Sequence, residues 1–142
     1  MRDKFFLGFS IFLEQLLYYD KIEEKGRANV PPEIQLGGSS FNIAKSLEAL
    51  GVPARDLLLA GKTSQAESAH RVTTRYLLDL EKIPSILLPV QDRAATSYYL
   101  IPRRGKTWAF GYPGGKILKS AKNSLAIIKQ YKDARIRIIT EL

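Results

Sequence analysis

The chain has 142 residues, of which 45% are hydrophobic and 25% charged, the balance of one ordinary globular domain. It contains no cysteine and one histidine, His70. This composition excludes disulfides, cysteine nucleophiles and metal centres built from thiolates or several histidines, and it fits a cytoplasmic location. The formal net charge is +8, but the basic residues are spread along the sequence without interleaved aromatic residues. We therefore interpret the charge as a solvated surface and expect no nucleic-acid partner.

The N-terminal segment contains an apolar run, FFLGFSIFL at residues 5–13. The run is far shorter than the ~20 residues that a membrane-spanning helix needs. Asp3 interrupts the positive start of a signal peptide, and Glu14 follows where small residues would precede a cleavage site. We predict one buried strand over residues 4–13 and no membrane partner.

The first helix has the clearest pattern in the chain. Residues 16–36 contain a glycine and two prolines and are predicted to form short exposed strands or loops. The helix then starts at a cap formed by Ser39 or Ser40 and ends at Gly51. Its predicted buried face consists of Ile43, Ala44, Leu47 and Leu50.

A second helix follows a short buried strand at residues 56–60. It is predicted to begin at Ser64, which would form a capping box with Glu67. His70 is predicted to lie on the surface, opposite the apolar stripe. The stripe predicted to face the core consists of Ala69, Val72, Tyr76 and Leu80.

The second half of the chain continues the alternation of strands and helices. Pro89 places the strand at residues 85–90 near an end or an edge of its sheet. Strands alternating with helices indicate a largely parallel α/β sheet. Residues 16–36 and a later hairpin are predicted to form an antiparallel side structure attached to that sheet. The remaining predicted elements are a hairpin of residues 96–101 and 107–110 around a turn at 102–105, a helix at 121–134 and a strand at 135–142.

One segment, LGGSSFNIA at residues 36–44, goes beyond generic architecture. Gly37 and Gly38 allow the backbone to approach a ligand closely, and the helix that follows presents backbone N–H groups. Asn42 adds a donor and an acceptor that suit vicinal hydroxyl groups. The alternative is a simple strand-to-helix turn. Gly51 and Gly61 extend the pattern, and its match to a known family signature is what favours a binding site.

This pattern resembles the N-terminal signature of the ribokinase-like (PfkB) carbohydrate kinases. The resemblance implies a parallel sheet flanked by helices with a small antiparallel β lid, and a sugar site that includes Gly37, Gly38 and Asn42. Glu14 stands where the family has an acidic residue that binds sugar hydroxyls. The segment 94–115 resembles the lid hairpin, in which Tyr99, Trp108 and Phe110 could cover a bound sugar or serve as ordinary cross-strand packing.

Three departures from the family pattern leave the substrate, a sugar or a nucleoside, undecided and leave room for a diverged, non-catalytic relative. Glu14 replaces the usual aspartate, Ser40 stands where a smaller residue or proline is usual, and Lys62–Thr63–Ser64–Gln65 replaces a loop with a Gly–Asp arrangement.

The family's catalytic aspartate and nucleotide site belong to its C-terminal half, and the chain has no Gly-Ala-Gly-Asp motif. We therefore predict no catalytic residue, metal site or cofactor here, although a full-length relative would use ATP and Mg²⁺. We expect residues 1–142 to be the N-terminal portion of such a domain, truncated inside the strand near 135–142 and inactive alone. Its partner would then be a missing C-terminal half or a second copy. The alternative is a non-catalytic remnant or interaction module that dimerises through the lid or an open sheet edge.

Overall fold

The computed structural model describes residues 4–20, 30–63, 68–91, 93–112, 114–118, 129 and 131–140. A short 3₁₀ turn, Ala54–Asp56, leads into the fourth strand. The helices and strands are β1 (Phe5–Phe9), β2 (Phe12–Tyr19), β3 (Glu33–Gly37), α1 (Ser39–Ala49), β4 (Leu57–Thr63), α2 (Ala69–Glu81), β5 (Ser85–Pro89), β6 (Thr96–Pro102), β7 (Trp108–Tyr112) and β8 (Ile136–Ile139).

Four strands form a parallel sheet in the order β5-β4-β1-β8. Successive side chains of a strand point to opposite faces. Leu7 and Leu59 therefore share the face covered by the helices, where they pack with Phe41, Ala44 and Leu78. The predicted parallel α/β sheet is confirmed, and β5 is an edge strand as Pro89 indicated.

The prediction of one strand over residues 4–13 is wrong, because this run is divided between two sheets. The chain leaves the parallel sheet after β1, and Ser10 and Ile11 link it to β2 in a second sheet. Ile11 is buried against the core and fills the space above Gly61. Both strands are apolar enough for burial, so composition alone gives no sign of the break.

The second sheet, which we call the lid sheet, has the order β3-β2-β6-β7. The predicted hairpin is confirmed as β6 and β7, which pair antiparallel around a turn that contains Gly105 at φ 104°. The sheet is mixed, since β2 and β6 run parallel while β2 and β3 run antiparallel. Part of the segment predicted as short strands or loops therefore belongs to β2 and β3.

Helix α1 begins and ends through backbone contacts. Gly38 occupies the N-cap position and no side chain caps the helix, so the predicted serine cap is wrong. The end at Gly51 is confirmed: its N–H donates to the Glu48 carbonyl at 2.9 Å, and that of Val52 donates to the Leu47 carbonyl at 3.0 Å. This is the Schellman arrangement. It leaves Leu50 outside the core, 83% exposed, contrary to prediction.

Helix α2 packs through a different face from the predicted one. Its N-cap is Ser68, whose side chain accepts a hydrogen bond from the Arg71 N–H, so the helix begins later than Ser64. The proposed capping box of Ser64 and Glu67 lies outside the described residues. The buried residues of α2 are Thr74 and Leu78. The predicted stripe is wrong, because its three large members are exposed: Val72 by 59%, Tyr76 by 62% and Leu80 by 60%.

The helix predicted at residues 121–134 falls mostly outside the described residues. Residues 129 and 131–133 are helical. The rings of Tyr131 and Phe6 are packed edge to face, with 5.3 Å between their centres. Ala134 packs with Phe6 and Ala60 on the second face of the parallel sheet.

Candidate functional site

Glu14 lies where the two sheets meet. It is half-buried on β2, directly opposite Gln35 on β3. The Gln35 amide donates to the Glu14 carboxylate at 2.9 Å. One carboxylate oxygen is thereby oriented, and a carboxylate can accept further hydrogen bonds from a ligand.

The two glycines of the motif are required by contacts within the chain. A Cβ on Gly37 would collide with the Glu14 carboxylate, which lies directly over this residue. A Cβ on Gly38 would lie 2.6 Å from the Ser10 carbonyl oxygen, and Gly38 has φ 88°, a conformation that favours glycine. The structure thus brings Glu14 and Gly37 together and places Gly38 against the link between β1 and β2.

The N-terminus of α1 is partly occupied by Ser10. The Ser39 N–H donates to the Ser10 hydroxyl at 3.3 Å, and the Ser40 N–H donates to the Ser10 carbonyl at 3.0 Å. These N–H groups are therefore already paired, contrary to the expectation that they face a ligand. Asn42 is exposed in the first turn, and its N–H donates to the Gly38 carbonyl at 3.0 Å.

Ser40 is fully buried and connects three elements at this point. Its hydroxyl accepts a hydrogen bond from the Ser10 N–H at 3.0 Å and lies 2.8 Å from the Thr140 hydroxyl, just after β8. The Thr140 N–H in turn donates to the Gly8 carbonyl. Through Ser40, the ends of β1 and β8 are tied to the start of α1.

The three lid aromatics named from the sequence do not share a face. Tyr99 pairs with Ala109, and it lies on the side of the sheet that carries Glu14. Trp108 and Phe110 lie on the other side, and each is 55% exposed. Only Tyr99 is therefore placed to cover a ligand bound next to Glu14.

Two residues near the site, Gln35 and Ser97, were not named from the sequence, and a third, His70, was placed incorrectly. Gln35 holds Glu14, and the buried Ser97 lies beside Glu14 on β6. His70, predicted on the surface, is partly buried: its Nε2 lies 3.1 Å from the Ala95 carbonyl oxygen, at the base of the lid sheet. Their roles depend on strand register and helix orientation, and no local signal in the sequence identifies them.

Neither a metal cluster nor a membrane span is found in the part of the chain that the structure describes. There, no three side chains of the His, Cys, Asp or Glu type are grouped so that they could hold a metal ion. No helix among the same residues is long and apolar enough to cross a membrane.

Several solved structures with the same fold carry the names of sugar kinases. Phosphofructokinase-2 from Escherichia coli, in complex with fructose-6-phosphate, aligns with a TM-score of 0.73 and 17% identity over 98% of this chain and 45% of its own. The tetrameric inhibited form of that enzyme aligns with a TM-score of 0.72 and 17% identity, over 98% of this chain and 45% of its own. Ribokinase from Giardia lamblia aligns with a TM-score of 0.69 and 12% identity, over 97% of this chain and 44% of its own. No protein-family model and no curated protein matches the sequence.

These comparisons establish the fold. The chain has a partial ribokinase-like fold, as the motif at residues 36–44 implied, and it spans less than half the length of each of these kinases. At identities below 20% the likeness extends to the architecture alone, because one fold can carry different functions.

Proposed function

We propose that this chain binds the phosphoryl-accepting sugar or nucleoside of a carbohydrate kinase. The observation that carries the proposal is the position of Glu14. Its carboxylate is held by Gln35 directly above Gly37, at the junction between the parallel sheet and the lid sheet. In open α/β sheets, ligands bind beyond the carboxyl ends of the strands, and β1 ends at this junction.

The chemistry of the site suits a polyhydroxylated ligand. The Glu14 carboxylate accepts hydrogen bonds from two neighbouring hydroxyls, while the exposed Asn42 amide can both donate and accept. Tyr99, on the same side of the lid sheet as Glu14, offers an apolar surface to the ring carbons of a sugar. Phosphofructokinase-2, with the same fold, was solved with fructose-6-phosphate, so sugar phosphates belong among the candidate ligands.

We further propose that the chain has no kinase turnover of its own and resides in the cytoplasm. ATP and Mg²⁺ would serve a full-length kinase. The sequence has no Gly-Ala-Gly-Asp motif, and we assign no phosphoryl-transfer step to the described residues.

Thermal unfolding in the presence of sugars, sugar phosphates and nucleosides, each with and without MgATP, tests this function. A ligand at 100 times its Kd stabilises a protein by ~2.7 kcal/mol, which corresponds to about 5–10 °C for a chain of this size. We expect one ligand class to produce such a shift and MgATP to add nothing. No shift with any ligand would contradict the binding function, and phosphorylated product in the presence of MgATP would contradict the lack of turnover.

Two substitutions locate the site. Glu14→Gln keeps the size of the side chain but removes its charge, and Gly37→Ala displaces the carboxylate. We expect both to abolish the ligand-induced shift. The matched control is Glu81→Gln on α2, which removes an ion pair with Lys45 but lies outside the site. If Glu81→Gln and Glu14→Gln reduce the shift equally, the ligand does not bind at Glu14.

A second candidate function is that of a non-catalytic interaction module that dimerises through the lid or an open sheet edge. The observation that favours the lid is the exposed aromatic surface formed by Trp108, Phe110 and Tyr98, on the side away from Glu14. Such a surface is typical of interfaces. A dimer in sedimentation analysis that dissociates in the Phe110→Ser variant would support this function, and a dimer that Phe110→Ser leaves intact would contradict it.

A further inference from the structure

Helix α2 carries apolar residues on two opposite faces. Thr74 and Leu78 face the core. Val72, Tyr76 and Leu80, which we call the outer stripe, follow one another at four-residue intervals on the other side of the helix, at 100° per residue. Each is about 60% exposed. A stripe of three large side chains is a continuous surface, unlike the scattered apolar residues of an ordinary protein surface.

The outer stripe borders a groove that could receive a side chain. Val72, Tyr76 and Leu87 of the neighbouring edge strand provide its apolar part. The charged side chains of Arg71, Arg75 and Asp79 line the remainder. The cavity has a volume of about 510 Å³, ample space for the aromatic ring of another chain.

The distribution of charge along α2 identifies the occupant. The arginines of the groove lie in the first two turns. Asp79 lies near the end of the helix, where its carboxylate is 2.9 Å from the guanidinium of Arg75 in the same helix; both side chains of this ion pair remain partly exposed to a partner. A second α2 running antiparallel would bring Asp79 of each copy towards the basic end of the other, and would also oppose the two helix dipoles. A parallel arrangement would place like charges side by side.

We propose that two copies of this chain associate through antiparallel packing of their α2 helices. Tyr76 is the central residue of the outer stripe, so it meets Tyr76 of the second copy at the two-fold axis. Val72 of one copy then packs against Leu80 of the other. The two-fold axis passes through Tyr76, so a residue four positions before it faces the residue four positions after it in the second copy. The groove beside each stripe receives side chains from the opposite helix. This contact is separate from the proposed sugar site and from the aromatic surface of the lid.

Cysteine cross-linking tests the geometry directly, because the natural chain has no cysteine. Under mild oxidation, Tyr76→Cys is expected to form a covalent homodimer. Leu50→Cys is the matched control, since Leu50 is more exposed than Tyr76 but lies at the end of α1. Equal cross-linking of these two variants would overturn the proposal, because it would reflect random collision.

The direction of the helices is tested by mixing Val72→Cys with Leu80→Cys in equal amounts. The antiparallel arrangement predicts that the mixed dimer outnumbers both homodimers by several fold when disulfide-linked peptides are quantified. An excess of the two homodimers would overturn the proposal.

Sedimentation of the cysteine-free protein provides an independent measurement. We expect a concentration-dependent dimer whose Kd rises at least tenfold in Tyr76→Glu, while Phe110→Ser leaves it unchanged. Tyr76 is exposed, so Tyr76→Glu should fold normally, which its circular dichroism spectrum will verify. A protein that stays monomeric at several hundred micromolar, or a dimer that only Phe110→Ser weakens, would refute the proposal.

Discussion

Replacing Ser40 with alanine tests the connection between β1, α1 and β8. The Ser40 hydroxyl is the acceptor for the Ser10 N–H at 3.0 Å, and Ser10 is itself only 7% exposed. Without this acceptor, a buried N–H loses its partner, which costs ~1–3 kcal/mol. The bond to Thr140 is lost as well, but Thr140 is exposed and water can replace Ser40 there. We therefore expect Ser40→Ala to lower the free energy of unfolding by about 2 kcal/mol.

Urea unfolding followed by circular dichroism measures this change. For a slope of ~2 kcal/mol/M, the midpoint should fall by about 1 M with the slope unchanged. Ser46→Ala is the matched control, because Ser46 lies in the same helix but is exposed, and its hydroxyl donates to the Asn42 carbonyl within that helix at 2.9 Å. It should change the midpoint little, since alanine also favours the helix. Equal midpoints for the two variants would refute the role assigned to Ser40.

Two further predictions concern α2 and its contact with α1. Leu78→Ala should lower the free energy of unfolding by ~2–5 kcal/mol because Leu78 is fully buried, whereas Leu80→Ala should change it by less than ~0.5 kcal/mol in the monomer. Urea unfolding at low protein concentration measures both changes. Similar losses in the two variants would contradict the observed orientation of α2. Hydrogen bonds with Glu48 and then Glu81 raise the pKa of Lys45 above its ordinary value of 10.5. A cation with a raised pKa stabilises the fold below pH 10.5 and loses that contribution as the pH rises through the raised value. The difference in free energy of unfolding between the natural chain and Lys45→Met should therefore shrink above about pH 10.5. This difference should be small at every pH, since Lys45 is exposed. A difference that grows as the pH rises would contradict the raised pKa of Lys45.

The elements that could be predicted from the sequence are those with a strong local signal. Gly51 ends α1 because a left-handed residue is needed there, and Gly105 forms the hairpin turn for the same reason. The apolar run of β4 and the position of Pro89 likewise indicated buried and edge strands. Each of these features depends on neighbouring residues alone.

The features that could not be predicted depend on tertiary contacts. Helix α2 has apolar residues on both sides, so periodicity cannot decide whether Leu78 or Leu80 faces the core. The residues of the candidate site could be named from the motif, but the pairing of Glu14 with Gln35 follows from the register of β2 and β3. That register also separates Tyr99 from Trp108, which no short motif records.

The position of Trp108 has a practical consequence for optical experiments. It is the only tryptophan of the chain, and it lies half in solvent on an edge strand, with the Lys106 ammonium 5.4 Å from the centre of its ring. Its fluorescence in the native protein should thus already resemble that of a hydrated indole and report little on the loss of the core. The same exposure makes Trp108 a sensitive probe of any molecule that covers the side of the lid sheet away from Glu14. A blue shift of its emission would show that water has been displaced from this side.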